Sequence, residues 1–239
     1  MSTLKPVRSI SLKDRAVASV RDAIFNGDLA PGDALRELHL AKELQISQPT
    51  VREALMELER QGLVVRRPNI ETTVTNFTKQ EIADRLELRL LLEKTALRKA
   101  AQRMTEAEFA ELDHRLGAID VAVAAEDVHR AALADLEFHR YIWECSGNHA
   151  LAGGLDSVCT PLFAFSSVLR SATREDLSSL HRSHAELIQI LRSHDEVRME
   201  EAIEKHVRGF YGAFLSSPSQ DCRSHIQQQR AWKAQATSH

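Results

Sequence analysis

Ser47-Gln48-Pro49-Thr50-Val51-Arg52-Glu53-Ala54-Leu55-Met56-Glu57-Leu58-Glu59-Arg60-Gln61-Gly62-Leu63-Val64 decides how this chain is read. Val51, Ala54, Leu55 and Leu58 recur at helical spacing, so one face of the segment is apolar and must be buried. Ser47 is placed to cap the amides of the first turn, and Gly62 to close the helix in the left-handed conformation. Gln48, Thr50 and Arg52 then project near the leading end, where a recognition helix meets base edges and phosphates. The stretch predicts a helix that reads DNA.

Both flanks extend that reading. Leu12 to Asn26 predicts an amphipathic helix with Val17, Val20 and Ile24 on one side, stopped at Gly27. Leu29-Ala30-Pro31-Gly32-Asp33 is a turn, because Pro fixes one backbone angle and Gly permits the next. A short helix from about Arg36 to Leu44 and the corner Gln45-Ile46-Ser47 complete a helix-turn-helix. Beyond Gly62, two β-rich runs, Leu63-Val64-Val65-Arg66-Arg67 and Thr72-Thr73-Val74-Thr75, flank Pro68-Asn69 and predict a hairpin, the wing of a winged helix. Arg36, Arg52, Arg66 and Arg67 are the cations available to phosphate, with Gln48 and Thr50 beside them.

From Ile24 to Thr75 the chain resembles the DNA-binding domain of the GntR transcriptional regulators. The matching residues are Gly27-Asp28-Leu29-Ala30-Pro31-Gly32, Leu40-Ala41, Ser47 through Leu55, Leu58-Glu59 and Gly62-Leu63-Val64. Two departures stand out. Where the family usually has Arg after the capping Ser, this chain has Gln48, which suits adenine rather than guanine. Where the wing tip usually reads Asn-Arg-Gly, this chain has Asn69-Ile70-Glu71. A left-handed wing turn is costlier without Gly, and Glu71 places negative charge near phosphate; the wing either packs only or contributes to binding.

Composition bounds the rest. At 239 residues there is material for two cores, no apolar run approaches the roughly 18 residues of a membrane span, and the first residues hold no apolar signal region. Cys145, Cys159 and Cys222 have no C-x-x-C spacing, which disfavours a disulfide framework or cysteine zinc site and suits a reducing cytoplasm. Residues 1–78 hold eleven Lys/Arg against ten Asp/Glu, and the remainder twenty against twenty-four. Such a balance cannot supply a broad electrostatic stripe, so binding depends on a few placed groups and on pairing two copies.

Past Asn76-Phe77 the pattern turns to long helices. Thr78-Lys79-Gln80-Glu81 and Thr105-Glu106-Ala107-Glu108 are capping boxes, and helices are expected near 79–103, 106–125, 127–146, 149–170, 174–193 and 196–215. The expected architecture is mainly α: a winged helix-turn-helix over 1–77, an all-α helical bundle over 78–215, and a polar, disordered tail over 216–239. Three apolar stripes in the bundle are interrupted by potential metal ligands. Asp135 and His139 share a face with Ala132 and Ile142, His184 lies between Leu180 and Leu187, and His206 follows Ile203. Buried polar groups need partners, and these could be one another's around a zinc-like or nickel-like ion, or each be satisfied by a hydrogen bond. His114, His129, His181, His194 and His225 show no such pattern and read as surface residues. Arg89, in an apolar helix, pairs either with Glu93 one turn on or with an incoming anion. Asn148 either lines the same cavity or caps the next helix.

Residues 80–215 resemble the FCD effector-binding domain of the FadR-type branch of that family. Arg89, Glu93, Asp135, Phe138-His139, Ser146-Gly147-Asn148, His184, Glu186 and His206 carry the likeness. The resemblance implies a divalent metal, zinc first with nickel or another transition metal as options, on Asp135, His139, His184 and His206. It also implies a small carboxylate effector beside the metal, met by Arg89 and Asn148. The expectation is a ligand-responsive repressor: a cytoplasmic homodimer that binds double-stranded operator DNA and has no membrane partner. The competing reading is a metal-dependent enzyme with an accessory DNA-binding module; no Ser-His pair, carboxylate pair or Gly-rich phosphate loop supports it.

Overall fold

The computed structural model describes residues 11–67, 71–173 and 177–228, with side chains at all but 173, 178, 179, 210 and 213. Local chemistry sets the first three helices. α1 (Leu12–Asn26) starts at Ser11, whose hydroxyl accepts from the Asp14 amide, and stops at Gly27 with φ 79°. α2 (Glu37–Leu44) turns out through Gln45 in the left-handed conformation, and α3 (Gln48–Arg60) starts at Ser47, which accepts from the Thr50 amide. Val51, Ala54, Leu55 and Leu58 are buried in one core with Val17, Val20 and Ile24 of α1, as their spacing requires.

The wing forms as an antiparallel pair, β1 (Val64–Arg67) and β2 (Glu71–Val74), with Val64 opposite Val74 and Arg67 opposite Glu71. A bridge from Ala34 to Thr73 and a bond from the Leu35 amide to the Thr72 carbonyl (2.7 Å) tie it to the turn before α2. The wing tip at Pro68, Asn69 and Ile70 lies outside the described residues.

The helical half consists of α4 (Lys79–Ala101), α5 (Glu106–Ala124), α6 (Val128–Cys145), α7 (His149–Thr173), α8 (Ser178–Ser193) and α9 (Glu196–Ser216). Both capping boxes form, at Thr78 with Glu81 and at Thr105 with Glu108. α6 packs between α5 and α7, α4 lies against α6, α7 and α9, and α8 spans α5 and α9. One expectation is corrected here: residues 149–172 are long and apolar enough to cross a membrane by length and composition, yet the apolar 18-residue window within them is 72% buried inside the protein. Its apolar character is that of a core helix. α4 differs the other way, since Leu88 and Leu91 on it are exposed.

The two halves share a continuous apolar core. Ile24, Phe25 and Leu63 pack in one cluster with Ala132, Trp143, Leu155 and Phe163. Gly62 makes the approach possible: its φ is 73°, and a Cβ there would stand 3.2 Å from Pro161 Cγ and 3.3 Å from the Ser157 carbonyl of α7. Ser167 Oγ donates to the Phe25 carbonyl at 2.9 Å.

The expected disordered tail is also corrected, as far as Gln228. Residues 222–228 are helical, and Cys222, His225 and Ile226 are buried. The Cys222 amide donates to the Phe77 carbonyl at 2.8 Å, and the Arg223 guanidinium reaches the Pro31 carbonyl and the Asp33 carboxylate, each at 3.0 Å. Cys222 and Ile226 stand one helical turn apart, enough apolar face to dock a segment polar elsewhere. His225, expected at the surface, lies 3.1 Å from Ser219 Oγ with its ring against Phe214. His129 is half-buried beside the Phe25 ring. Residues 229–239 lie outside the described residues.

Candidate metal centre and nucleic-acid interface

α6, α8 and α9 bring Asp135, His139, His184 and His206 together although the last lies 71 positions after the first. One ligand atom from each lies within 4.8 Å of all the others. His184 Nε2 stands 2.8 Å from Asp135 Oδ1, His139 Nε2 is 3.4 Å from the same oxygen, and His139 Nε2 and His206 Nε2 are 3.0 Å apart. Ligands about 2.1 Å from a tetrahedral ion stand roughly 3.4 Å from one another, so this spacing fits a divalent ion with little adjustment.

The outer ring nitrogens of His184 and His139 face partners behind the cluster, which orients the inner ones. His184 Nδ1 donates to the Leu180 carbonyl at 2.7 Å, leaving Nε2 to face the cluster. His139 Nδ1 lies 3.5 Å from Glu93 Oε1, an oxygen that also accepts from Trp143 Nε1 at 3.2 Å and pairs with Arg89 at 3.4 Å. Burial drives His139 well below its ordinary pKa and, with His184 adding to the effect, pushes His206 down to about 3. Burial alone would lower His184 too, but the adjacent Asp135 carboxylate outweighs it and holds His184 above its ordinary value. Burial pushes Glu93 up against the opposing pull of Arg89. Three imidazoles, two kept neutral, converge with one carboxylate: a donor set for a cation.

A cavity of about 370 Å³ opens beside this cluster and is lined by Asp135 and His206 together with Arg89. Arg89 is 3% exposed, with its guanidinium 5.0 Å from the Phe163 ring, and its Nε has no hydrogen-bond partner among the described residues. Both sequence readings of Arg89 therefore meet in one place, since the side chain is paired with Glu93 and also faces the cavity. Asn148 does not line it. That residue is exposed and its side chain accepts from the Leu151 amide at 3.1 Å, so it is corrected to a cap of α7.

Sequence reasoning placed Glu93 only as Arg89's partner and missed its reach to His139; Trp143, one turn beyond His139, was the available signal. It missed the cations Arg170, Arg182 and Lys205 on the cavity wall, of which Lys205 adjoins His206 and Arg182 precedes His184 by two.

At the other end of the molecule, Gln48 and Arg52 are exposed and share one partner. Arg52 bonds Glu37 at 2.8 Å through its terminal nitrogen, and Gln48 Nε2 donates to the same carboxylate at 3.0 Å. Thr50 is turned into the cap, with its hydroxyl 2.8 Å from Ser47 Oγ. Arg36 is exposed at the start of α2, Arg67 is exposed on β1, and Arg66 lies 3.5 Å from Glu59.

Residues 12–74 match the family described as bacterial regulatory proteins, gntR family, and residues 84–209 match the FCD domain. The chain is 25% identical over 190 residues, 79% of its length and 82% of the relative's, to the uncharacterized HTH-type transcriptional regulator YdhC of Bacillus subtilis. It is 24% identical over 224 residues to the HTH-type transcriptional repressor NanR of Escherichia coli K12, covering 85% of this chain and 84% of that one. Among solved structures, E. coli McbR/YncC superposes with a TM-score of 0.72 at 21% identity, over 87% of this chain and 98% of the other. A GntR regulator from Rhodococcus sp. RHA1 gives the same score at 22% identity, covering 87% and 99%.

Proposed function

Because the chain belongs to the GntR family, with an FCD domain behind its winged helix-turn-helix, it is a DNA-binding transcriptional regulator and not an enzyme; we propose that it is a cytoplasmic, ligand-responsive repressor that binds a divalent metal and a small organic acid. The observation that carries the metal reading is the convergence of Asp135, His139, His184 and His206 within 4.8 Å, with His184 oriented from behind by a backbone carbonyl. A zinc or similar ion held there would offer an open coordination position to a carboxylate oxygen. Arg89 supplies the second contact: a buried guanidinium beside the cavity whose five donors are only partly used by Glu93.

For DNA, Arg36, Gln48, Arg52, Arg66 and Arg67 are the groups that reach backbone and base edges, and Thr50 buttresses the cap of α3 that aims them. Two copies on a two-fold operator supply the affinity that the near-neutral DNA-binding half lacks alone. Coupling is carried by α7: Phe163 and Ser166 line the cavity, while Ser167 holds the Phe25 carbonyl of α1. An effector that favours one placement of α7 thereby biases the placement of α1 and α3, and operator affinity follows its differential binding to the two.

The test is retention of fragmented genomic DNA by the purified protein at physiological salt, with and without chelator treatment, alongside metal analysis. One equivalent of metal per chain and a few enriched fragments sharing a two-fold motif are expected. Metal below about 0.1 equivalent after growth and reconstitution with zinc or nickel would refute the metal centre; absence of any enriched motif would refute the operator reading.

A further inference from the structure

The cavity beside the metal centre carries more positive charge than one carboxylate needs. Its lining includes four cations, Arg89, Arg170, Arg182 and Lys205, against two carboxylates, Asp135 and Glu186. Asp135 already belongs to the ligand cluster, and a divalent ion there would add to the excess. The charge is also distributed along a gradient of burial. Arg89 is buried and Arg170 half-buried, whereas Arg182 and Lys205 are exposed on α8 and α9. The lining also includes the apolar side chains of Phe163, Leu180 and Val207, beside Ser166, Ser183 and Tyr211.

We propose, resting on the carboxylate reading above, that this cavity takes an effector with two or more anionic groups: one carboxylate at the metal and Arg89, and a second acidic group held near the mouth by Arg182 and Lys205. A monoacid would leave the mouth cations facing solvent with nothing to gain from them. A short carbon chain bearing a second carboxylate would meet apolar side chains of the lining and cations that differ in burial, Arg89 within and Arg182 and Lys205 exposed. The cavity volume, about 370 Å³, lies in the range that holds small molecules, roughly 300–1,000 Å³. Two separated anionic contacts also give specificity, since a ligand of the wrong length can satisfy only one of them.

The experiment is calorimetric titration of zinc-loaded, full-length protein at fixed ionic strength with butyrate, succinate, glutarate and citrate. At least one polyanion is expected to bind about tenfold or more tightly than butyrate. The double variant Arg182→Gln/Lys205→Gln should reduce that preference to less than threefold, with the polyanion losing several times more affinity than butyrate. Arg98→Gln/Lys99→Gln, two exposed cations on α4 that do not line the cavity, should keep the full preference. Equal affinity for butyrate and every polyanion overturns the inference, as does a preference that survives loss of Arg182 and Lys205 or disappears equally in the control variant. If zinc stays stoichiometric and no acid binds, butyrate included, the carboxylate reading itself fails and this inference falls with it.

Discussion

The leading end of α3 and the candidate metal cluster of Asp135, His139, His184 and His206 solve opposite problems. At α3 the functional groups are neighbours in sequence, exposed, and steadied by a single surface carboxylate, Glu37. At the cluster they come from three helices, are wholly or largely buried, and hold one another. A DNA-reading group must remain available to a partner that arrives from water, so its protein contacts have to be weak enough to exchange. A metal ligand must be desolvated in advance, and the fold carries that cost whether or not an ion is bound. Function at α3 is therefore separable from stability, while function at the cluster is not.

Substitution of His184 tests the second half of that contrast and has the largest expected effect. His184 is 0% exposed, and His184→Ala removes its 2.8 Å contact to Asp135 and its bond to the Leu180 carbonyl, leaving Asp135 with His139 and the carbonyl with Ser183 Oγ. Stability should fall by about 2–4 kcal/mol, from the lost contacts and the cavity left behind. Metal affinity should fall by about a hundredfold or more. Below the new melting temperature, operator affinity should stay within about threefold of wild type. Calorimetric melting, metal titration and an operator-binding isotherm on one preparation measure all three; operator binding that vanishes in the folded variant would break the separation.

Arg52→Ala is the complementary case. Among the described residues its guanidinium meets Glu37 alone, and the side chain is 54% exposed. Operator affinity should drop by about tenfold or more, the scale of one lost charge-assisted base or phosphate contact. Metal content and melting temperature should be unchanged. A fall in melting temperature as large as that of His184→Ala would mean that the Glu37 pair is structural and that the two regions obey the same rule.

The same contrast explains what could be read from the sequence. Helix periods and caps depend on residues a few positions apart, so α1, α3, both capping boxes and the wing were legible, as was the stop at Gly62. Asp135, His139, His184 and His206 were legible for a different reason: each interrupts an apolar stripe, and a polar group in such a place demands a partner. Contacts between distant segments left weaker marks. Glu93 explained itself through Arg89, so its reach to His139 was hidden. Arg182 and Lys205 look like ordinary solvated residues on helix surfaces until the cavity is seen. The apolar side of the docking of residues 222–228 is Cys222 and Ile226, too little apolar spacing to outweigh a polar composition, and the polar bonds of Arg223 and His225 leave no periodic mark. Asn148 had two chemically equal uses, and only the position of the Leu151 amide decides between them.

The smallest expected effect, at Glu37, refines the comparison most. Its carboxylate holds Gln48 and Arg52 side by side, yet it is also a negative charge that must sit near phosphate when α3 enters the groove. Hydrogen bonds from Arg52 keep Glu37 below the ordinary carboxylate value of 4.5. A depressed carboxylate contributes what it contributes above that value and loses it as pH falls through the lower folded value, so the brace is fully formed at neutral pH. Glu37→Gln removes repulsion from any DNA, specific or not, while loosening the alignment of the two reading side chains. Affinity for random duplex should therefore rise by about two- to threefold, with operator affinity nearly constant, so the ratio of the two contracts. Competition titrations at two salt concentrations read that ratio directly. An unchanged ratio would mean that Arg52 and Gln48 are aligned by the helix itself and that Glu37 is only a resting place for them.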